Sequence, residues 1–175
     1  AHWNPAKVAF AEDELGVAFS YSPWLRRLGI NDINLVYLTG YKKLDDRSAI
    51  AGGLRYFSLG SITFTDNTGA TIREFSPNEF SLDGAYSVKL SNNFSGGLGA
   101  RYIYSNLTGG LTVGSVNTKP GQSFAIDIAG YYVSDEFDLG GNDATVAVGV
   151  NVSNIGAQMA YTRNEERAFL QANLR

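Results

Sequence analysis

Residue types that could carry catalysis are sparse in this chain. Histidine occurs once, as His2, in a terminal segment outside every predicted strand. A serine–histidine dyad built on His2 would need a serine of a strand within hydrogen-bond reach of that segment. A polar residue in a surface or plug segment is the simpler interpretation, so we predict no catalytic residue and no enzyme activity.

Two acidic groups, Asp45-Asp46 and Asp135-Glu136-Asp138, stand in predicted turns. Clustered carboxylates can bind calcium, but this spacing matches no calcium-loop motif. Acidic side chains are also common in turns, where they bond to nearby backbone groups. The chain has no cysteine, which excludes thiolate metal sites and disulfides. We therefore predict neither a metal site nor a cofactor.

Asp83, Arg101 and Asp127 are charged residues on the fourth, fifth and sixth predicted strands. Their strands alternate between large apolar residues and small or polar ones, and the three charges fall among the small or polar residues. A period of two indicates strands with two different faces. Ion pairing inside a barrel is the structural interpretation of the three charges, and a substrate path is the functional one.

Seven β-like segments carry this alternation, and the links between them are alternately long and short. The segments span roughly residues 14–22, 32–42, 48–58, 80–90, 94–106, 122–133 and 144–153. The long links are 23–31, 59–79, 107–121 and 154–170, and the shorter ones are 43–47, 91–93 and 134–143. Outer-membrane β-barrels sort their links in this way, because one end closes in tight turns and the other carries extended loops. Within 59–79, Asp66-Asn67-Thr68-Gly69 predicts the turn of a hairpin that extends beyond the membrane.

The two faces suit a lipid side and a lumen. Val146, Val148, Val150 and Val152 are predicted to face lipid, whereas Arg55 points the same way as glycine and alanine. Segments of about 9–13 residues can cross a bilayer when tilted by about 45°. No apolar stretch approaches the roughly 18 residues of a membrane helix, and the mean hydropathy is -0.12. A net charge of -3 gives no basic face, so nucleic acid is excluded as an expected partner.

Residues 1–13 show no alternation, contain Pro5 and could form a short helix. They are either a surface lead-in or a plug inside the barrel, where small inward side chains leave room. Trp3-Asn4-Pro5-Ala6 followed by an amphipathic strand resembles the N-terminal hatch of FadL-like barrels. We divide the chain into a hatch, 1–13, and a partial barrel, 14–175, that contains seven strands and the start of an eighth. The chain has no signal peptide and stops at Arg175 within that strand, so we expect it to be part of a longer protein.

A closer resemblance, to the PorV family of the type IX secretion system, runs over essentially all 175 residues. The segments that carry it are HWNPAKVAFAEDELGVAFSYSPWLRRLGINDINL, LRYFSLGSITFTD and NFSGGLGARYIYSNLTGG. The resemblance implies a FadL-like antiparallel transmembrane β-barrel in the outer membrane of a Gram-negative bacterium. Barrels of this family have fourteen strands, so this chain would hold about half of one.

The resemblance also implies a role in protein export. A PorV-like protein receives cargo with a C-terminal signal domain from the translocon barrel. It passes the cargo to the surface sortase PorU, which removes the signal and attaches an anionic lipopolysaccharide. The expected partners are therefore the translocon, the sortase, the signal domains and outer-membrane lipid. The alternative is a FadL-like transporter of hydrophobic small molecules with a lumenal pocket.

The first long link, after strand one, is the most suggestive contact surface. Trp24, Leu25, Arg26 and Arg27 lie in it, with Leu28 close behind. The link is unusually apolar for a solvent-exposed loop, and Trp and Arg are enriched at interaction hot spots. Binding of a protein partner is one interpretation. Anchoring of Trp24 in the aromatic belt at the membrane interface is the other.

Overall fold

The computed structural model describes residues 4–110, 112–113, 116–162, 167–168 and 173–174. Its main element is an antiparallel sheet of eight strands, which confirms the predicted all-β class. The strands are β1 (Leu15–Pro23), β2 (Ile33–Lys43), β3 (Ser48–Leu59), β4 (Asn78–Lys89), β5 (Phe94–Asn106), β6 (Gly121–Val133), β7 (Ala147–Gly156) and β8 (Asn173–Leu174).

Each strand pairs with its neighbours in chain order, from β1 at one edge of the sheet to β8 at the other. The open antiparallel sheet is compatible with part of a barrel. We call the two ends of the sheet the turn end and the loop end. The turn end carries the links 44–47, 90–93 and 134–146, and the loop end carries 24–32, 60–77, 107–120 and 157–172.

Short hairpins lie within the links. The predicted hairpin at the loop end is confirmed: Ile62–Thr65 pairs with Thr71–Phe75, and the turn between them contains Gly69 with a φ of 83°. Further pairs join Thr112–Val113 to Val116–Asn117, Phe137–Asp138 to Asp143–Ala144, and Met159–Ala160 to Arg167–Ala168.

The predicted bounds of the seventh strand, 144–153, are wrong. Asp143–Ala144 belongs to the separate hairpin at the turn end, so β7 starts at Ala147 and the link before it is longer than predicted. At its other end β7 continues to Gly156, because a β-bulge absorbs one extra residue. Asn154 stands in the bulge with a φ of 61°, a left-handed conformation that Asn tolerates better than most residues.

Among the residues that the structure describes, helical structure is limited to two 3-10 helices, Pro5–Phe10 and Arg26–Leu28. Across the described part of the chain, no helix has the length and apolar character needed to cross a membrane.

The sheet buries small polar side chains on one face and exposes large apolar side chains on the other, which is the reverse of the usual distribution in a protein surrounded by water. On the face that we call inner, Ser87, Ser95 and Ser105 are at most 1 % exposed. On the outer face, Val17 and Phe124 are 72 % and 68 % exposed, and Val146, Val148, Val150 and Val152 are exposed as well. In water, large apolar side chains normally occupy the interior and contiguous apolar surfaces stay small. This sheet therefore needs an apolar environment around its outer face.

The links at the turn end are held by side-chain bonds to the backbone. Asp45 accepts bonds from the Ser48 hydroxyl (2.7 Å) and from the amides of Arg47 and Ser48 (2.8 and 2.7 Å). The hydroxyl bond first, and then the amide bonds, hold the pKa of the Asp45 carboxyl below its ordinary 3.8. Arg47 in turn donates to the carbonyl of Lys89, which connects this turn to the next.

Single-cysteine spin labels test the two faces, and the absence of native cysteine leaves no background. We expect labels at Val148 and Val150 to report a lipid environment in the reconstituted full-length protein, because both side chains project from the outer face. A label at Ala85, on the inner face, is the control and should be shielded from lipid. Equal lipid contact for all three positions would contradict the assignment of the faces.

The Asp45 carboxyl gives a second prediction. Its depressed folded pKa means that its bonds stabilise the turn above pH 3.8 and are lost as the pH falls through the folded pKa. The amide nitrogen shifts of Arg47 and Ser48 in NMR spectra should therefore titrate together with a midpoint below 3.8. In Asp45→Asn the same amides should not titrate. A midpoint at or above 3.8 would contradict the bonding described.

Candidate functional site on the inner face

The segment before β1 folds as a 3-10 helix that lies on the inner face. Asn4 caps the helix, since its side-chain oxygen accepts a bond from the amide of Ala6 at 2.9 Å. Pro5 follows at the first helical position, where its fixed φ is favourable and its missing N–H has no consequence. Pro5, Ala6, Val8 and Ala9 are buried, and the helix contacts β3, β4, β5 and β6.

Polar bonds fix the helix to three strands. The Asn4 amide donates to the carbonyls of Gly130 on β6 (3.0 Å) and Val150 on β7 (3.4 Å). The hydroxyl of Ser95 on β5 donates to the carbonyl of Ala6 at 2.7 Å. These bonds matter because buried backbone and side-chain polar groups of an irregular segment are costly unless they find partners within the protein.

The helix approaches β5 so closely that only glycine fits below it. A β-carbon at Gly97 would lie 2.5 Å from the amide nitrogen of Ala6 and 2.8 Å from its α-carbon. Both are backbone atoms, so a larger residue at position 97 would displace the helix itself. Gly97 is therefore part of the seat of the helix.

Aromatic and basic side chains surround the end of the helix that leads into β1. The rings of Phe10 and Tyr131 are 5.9 Å apart and tilted. The ammonium of Lys89 lies 5.2 Å from the centre of the Phe10 ring, and that of Lys7 lies 6.0 Å from the centre of the Tyr131 ring. Cation–π contacts at these distances stabilise by about 0.5–1 kcal/mol where exposed.

The three charged strand residues meet at mid-height on the inner face. Arg101 donates from Nε to Asp83 and from Nη2 to Asp127 at 3.2 Å. The three side chains are only 12 %, 19 % and 9 % exposed, in the order Arg101, Asp83, Asp127. The guanidinium thus cross-links β4, β5 and β6. A cavity of about 30 Å³ separates these residues from Pro5, which is room for a water molecule.

A fourth member of this group, Asn154, was missed by the sequence analysis. Its side-chain oxygen accepts a bond from Arg101 Nη1 at 2.6 Å, and its backbone N–H donates to Oδ1 of Asp127 at 2.8 Å. The bulge in β7 brings Asn154 to this position. A signal was present in the sequence, because the exposed apolar residues change from even numbers, ending at Val152, to an odd one at Ile155.

The first loop stands apart from this group, at the loop end. Leu25 and Gly29 both have left-handed backbones, with φ values of 54° and 81°, and they bracket the helix Arg26–Leu28. Trp24 is 51 % exposed and Leu28 75 %. The Trp24 ring packs 5.7 Å from the ring of Phe57, which is an inner-face residue of β3.

The sequence matches a family of secretion proteins. The model of the family described as Type IX secretion system protein PorV covers residues 1–175, the whole chain. The chain belongs to the PorV family. No curated protein matches it.

Membership makes the chain a type IX secretion system protein of the cell envelope. The PorV family is a family of secretion components and not a known family of enzymes. Among the described residues, no three His, Cys, Asp or Glu side chains are grouped so that they could hold a metal ion. The predicted hatch residues Asn4, Pro5 and Ala6 lie on the inner face, while Trp3 and His2 fall outside the described residues.

The close packing of the 3-10 helix on Gly97 can be tested by adding a single methyl group at this position. Gly97→Ala should displace the 3-10 helix, because the new β-carbon would collide with the backbone of Ala6. We expect residues 1–10 to become accessible to protease in the folded full-length protein. Gly84→Ala is the matched control, since a β-carbon there meets no atom within 4 Å. Equal resistance of both variants and the wild type would contradict this docking.

Proposed function

We propose that this protein is the outer-membrane adaptor of type IX secretion. In this role it receives cargo with a C-terminal signal domain from the translocon barrel and delivers it to the surface sortase PorU. The chain supplies a hatch, residues 1–13, and part of a barrel, residues 14–175. The PorV family match over the whole chain is the observation that carries the proposal.

The reversed packing of the sheet supports the outer-membrane location. A face that exposes Val17, Phe19, Phe124 and Val148 is stable when lipid covers it. Charged residues are costly on such a face, where Arg or Lys at the bilayer midplane costs about 2–4 kcal/mol. Arg101 lies instead on the inner face, where it is paired with both Asp83 and Asp127.

The inner face favours an adaptor over a transporter. The 3-10 helix Pro5–Phe10, which we call the hatch helix, covers the turn end. At mid-height, the guanidinium of Arg101 is already paired with Asp83 and Asp127. A side chain whose donors are already bound to protein offers little to a passing substrate. Asp83, Arg101 and Asp127 in this proposal hold the lumen together and do not define a transport path.

We infer that contacts with partners are made at the rim of the loop end. Trp24, Leu25 and Leu28 are exposed there next to two arginines, Arg26 and Arg27. The packing of Trp24 on the inner-face residue Phe57 places its ring toward the mouth of the barrel and away from the outer-face side chains. An apolar and basic surface of this kind suits a protein partner, such as a signal domain, the translocon or PorU. The same arginines also suit the anionic groups of lipopolysaccharide.

Truncation of the rim residues tests the adaptor role. Trp24→Ala or Arg26→Ala should weaken co-purification of the translocon, sortase or signal-bearing cargo while the barrel still assembles. Loss of a desolvated hot-spot side chain costs at least about 2 kcal/mol, which is about 30-fold in affinity. The measurement is recovery of partners with the tagged full-length protein from solubilised outer membranes.

Leu139→Ala is the matched control, because Leu139 is 66 % exposed but lies at the turn end. It should leave the recovery of partners unchanged. Equal losses of partner recovery for Leu139→Ala and Trp24→Ala would show that the first loop is not the contact surface. Recovery of a fatty-acid-like ligand and of no protein partner would instead support the transporter.

A further inference from the structure

A second segment, residues 157–162, folds back over the inner face at the loop end. We call it the strap. It follows β7 directly, and Met159 is 5 % exposed although it belongs to a long link. The strap meets Gly121 so closely that a β-carbon there would lie 2.7 Å from Cγ and Sδ of Met159. Side-chain atoms of Met159 lie over Gly121, whereas backbone atoms of the helix lie over Gly97.

Hydrogen bonds to backbone atoms of the strap fix it to β6 and to the link before β6. The Ser123 hydroxyl donates to the carbonyl of Ala157 at 2.6 Å, and the amide of Ala157 donates to the carbonyl of Phe124 at 3.1 Å. The amide of Lys119 donates to the carbonyl of Tyr161 at 2.8 Å. The strap is thus bonded at both of its ends.

A side-chain relay holds the strap to β5 and β4. The Tyr161 hydroxyl donates to Ser105 Oγ at 2.9 Å, and Ser105 Oγ donates to Glu79 Oε1 at 2.5 Å. Ser105 is 1 % exposed. The hydroxyl of Tyr161, a loop residue, therefore bonds to a buried residue of the sheet, on the same face as the hatch.

The hatch, the charged group and the strap contact successive positions along one strand, β5. Gly97, Arg101 and Ser105 are inner-face residues of β5 spaced four residues apart, which is about 13 Å between successive positions. The hatch lies at Gly97, the ion pairs at Arg101 and the strap at Ser105. A groove of about 350 Å³ extends along the inner face from Arg101 to Glu79, the residue at which the relay from the strap ends. Leu35, Phe57, Ser81 and Ile103 also line it.

We propose that the strap is a second closure of the lumen, at the loop end, so that the groove is a compartment sealed on both sides and not a section of a channel. The hatch closes the turn end independently. This inference goes beyond the adaptor role, because it concerns the lumen and makes no use of the identity of the partner at the rim. Two closures in series predict that opening one of them leaves the other to block passage.

Conductance of the full-length protein in planar bilayers tests the proposal. Four forms are compared: wild type, the hatch deletion of residues 1–10, Met159→Gly/Tyr161→Ala, and the combination. We expect either change alone to leave conductance close to wild type and the combination to raise it above both single changes, because a remaining constriction can keep a pore closed. Tyr104→Phe, on the outer face, is the control for loss of a tyrosine hydroxyl. A hatch deletion that conducts as well as the combination would overturn the strap as a closure.

A labelling experiment on intact cells keeps the test decisive if the combined variant fails to assemble. Ser81→Cys places a thiol in the groove and changes only one atom of a residue that is 8 % exposed. A membrane-impermeant maleimide added outside should not label it behind an intact strap, and should label it in Met159→Gly/Tyr161→Ala. Labelling behind the intact strap would overturn the proposal. Recovery of partners should be normal in the strap variants, so a failed adaptor role and a failed closure are distinguishable.

Discussion

The structure depends on one constraint, the alternation of side chains between an outer face of exposed apolar residues and an inner face of small and polar residues that is covered by other parts of the chain. Small inner residues such as Gly97 and Gly121 leave space above the sheet, and the chain itself occupies that space. The hatch helix fills it at the turn end and the strap fills it at the loop end. Every polar atom brought into this space needs a partner, because unpaired polar groups in a membrane interior are costly.

The charged group at mid-height satisfies that requirement. Arg101 bonds to Asp83, Asp127 and Asn154, which come from three different strands. Removal of one partner from a buried pair costs about 3–5 kcal/mol, much more than loss of an exposed pair. These residues are therefore better suited to fix the curvature and register of the sheet than to exchange partners with a moving substrate.

The features that could be predicted from the sequence are those encoded in local pattern. Alternation located the seven long strands, and parity placed Asp83, Arg101 and Asp127 on one face, as the register pairs show. The strap could not be predicted, because nothing local marks Met159 as a residue that packs on Gly121, 38 positions earlier in the chain. Likewise, the left-handed backbone of Leu25 in the first loop could not be predicted, because it is a conformation that its residue type does not favour.

A single inserted residue connects the charged group to the strap. The bulge at Asn154 gives Arg101 its third partner and at the same time reverses the parity of β7, so that Ile155 is exposed on the outer face. Gly156 then lies against β6, where a β-carbon would be 2.3 Å from the carbonyl oxygen of Phe124. Only glycine permits this approach, and the next residue, Ala157, already bonds to the inner side chain of Ser123. Without the extra residue, strand β7 would reach its end with the opposite parity, and the chain that follows would leave the sheet from the other face. The bulge is therefore both a member of the charged group and the reason why the strap turns into the lumen.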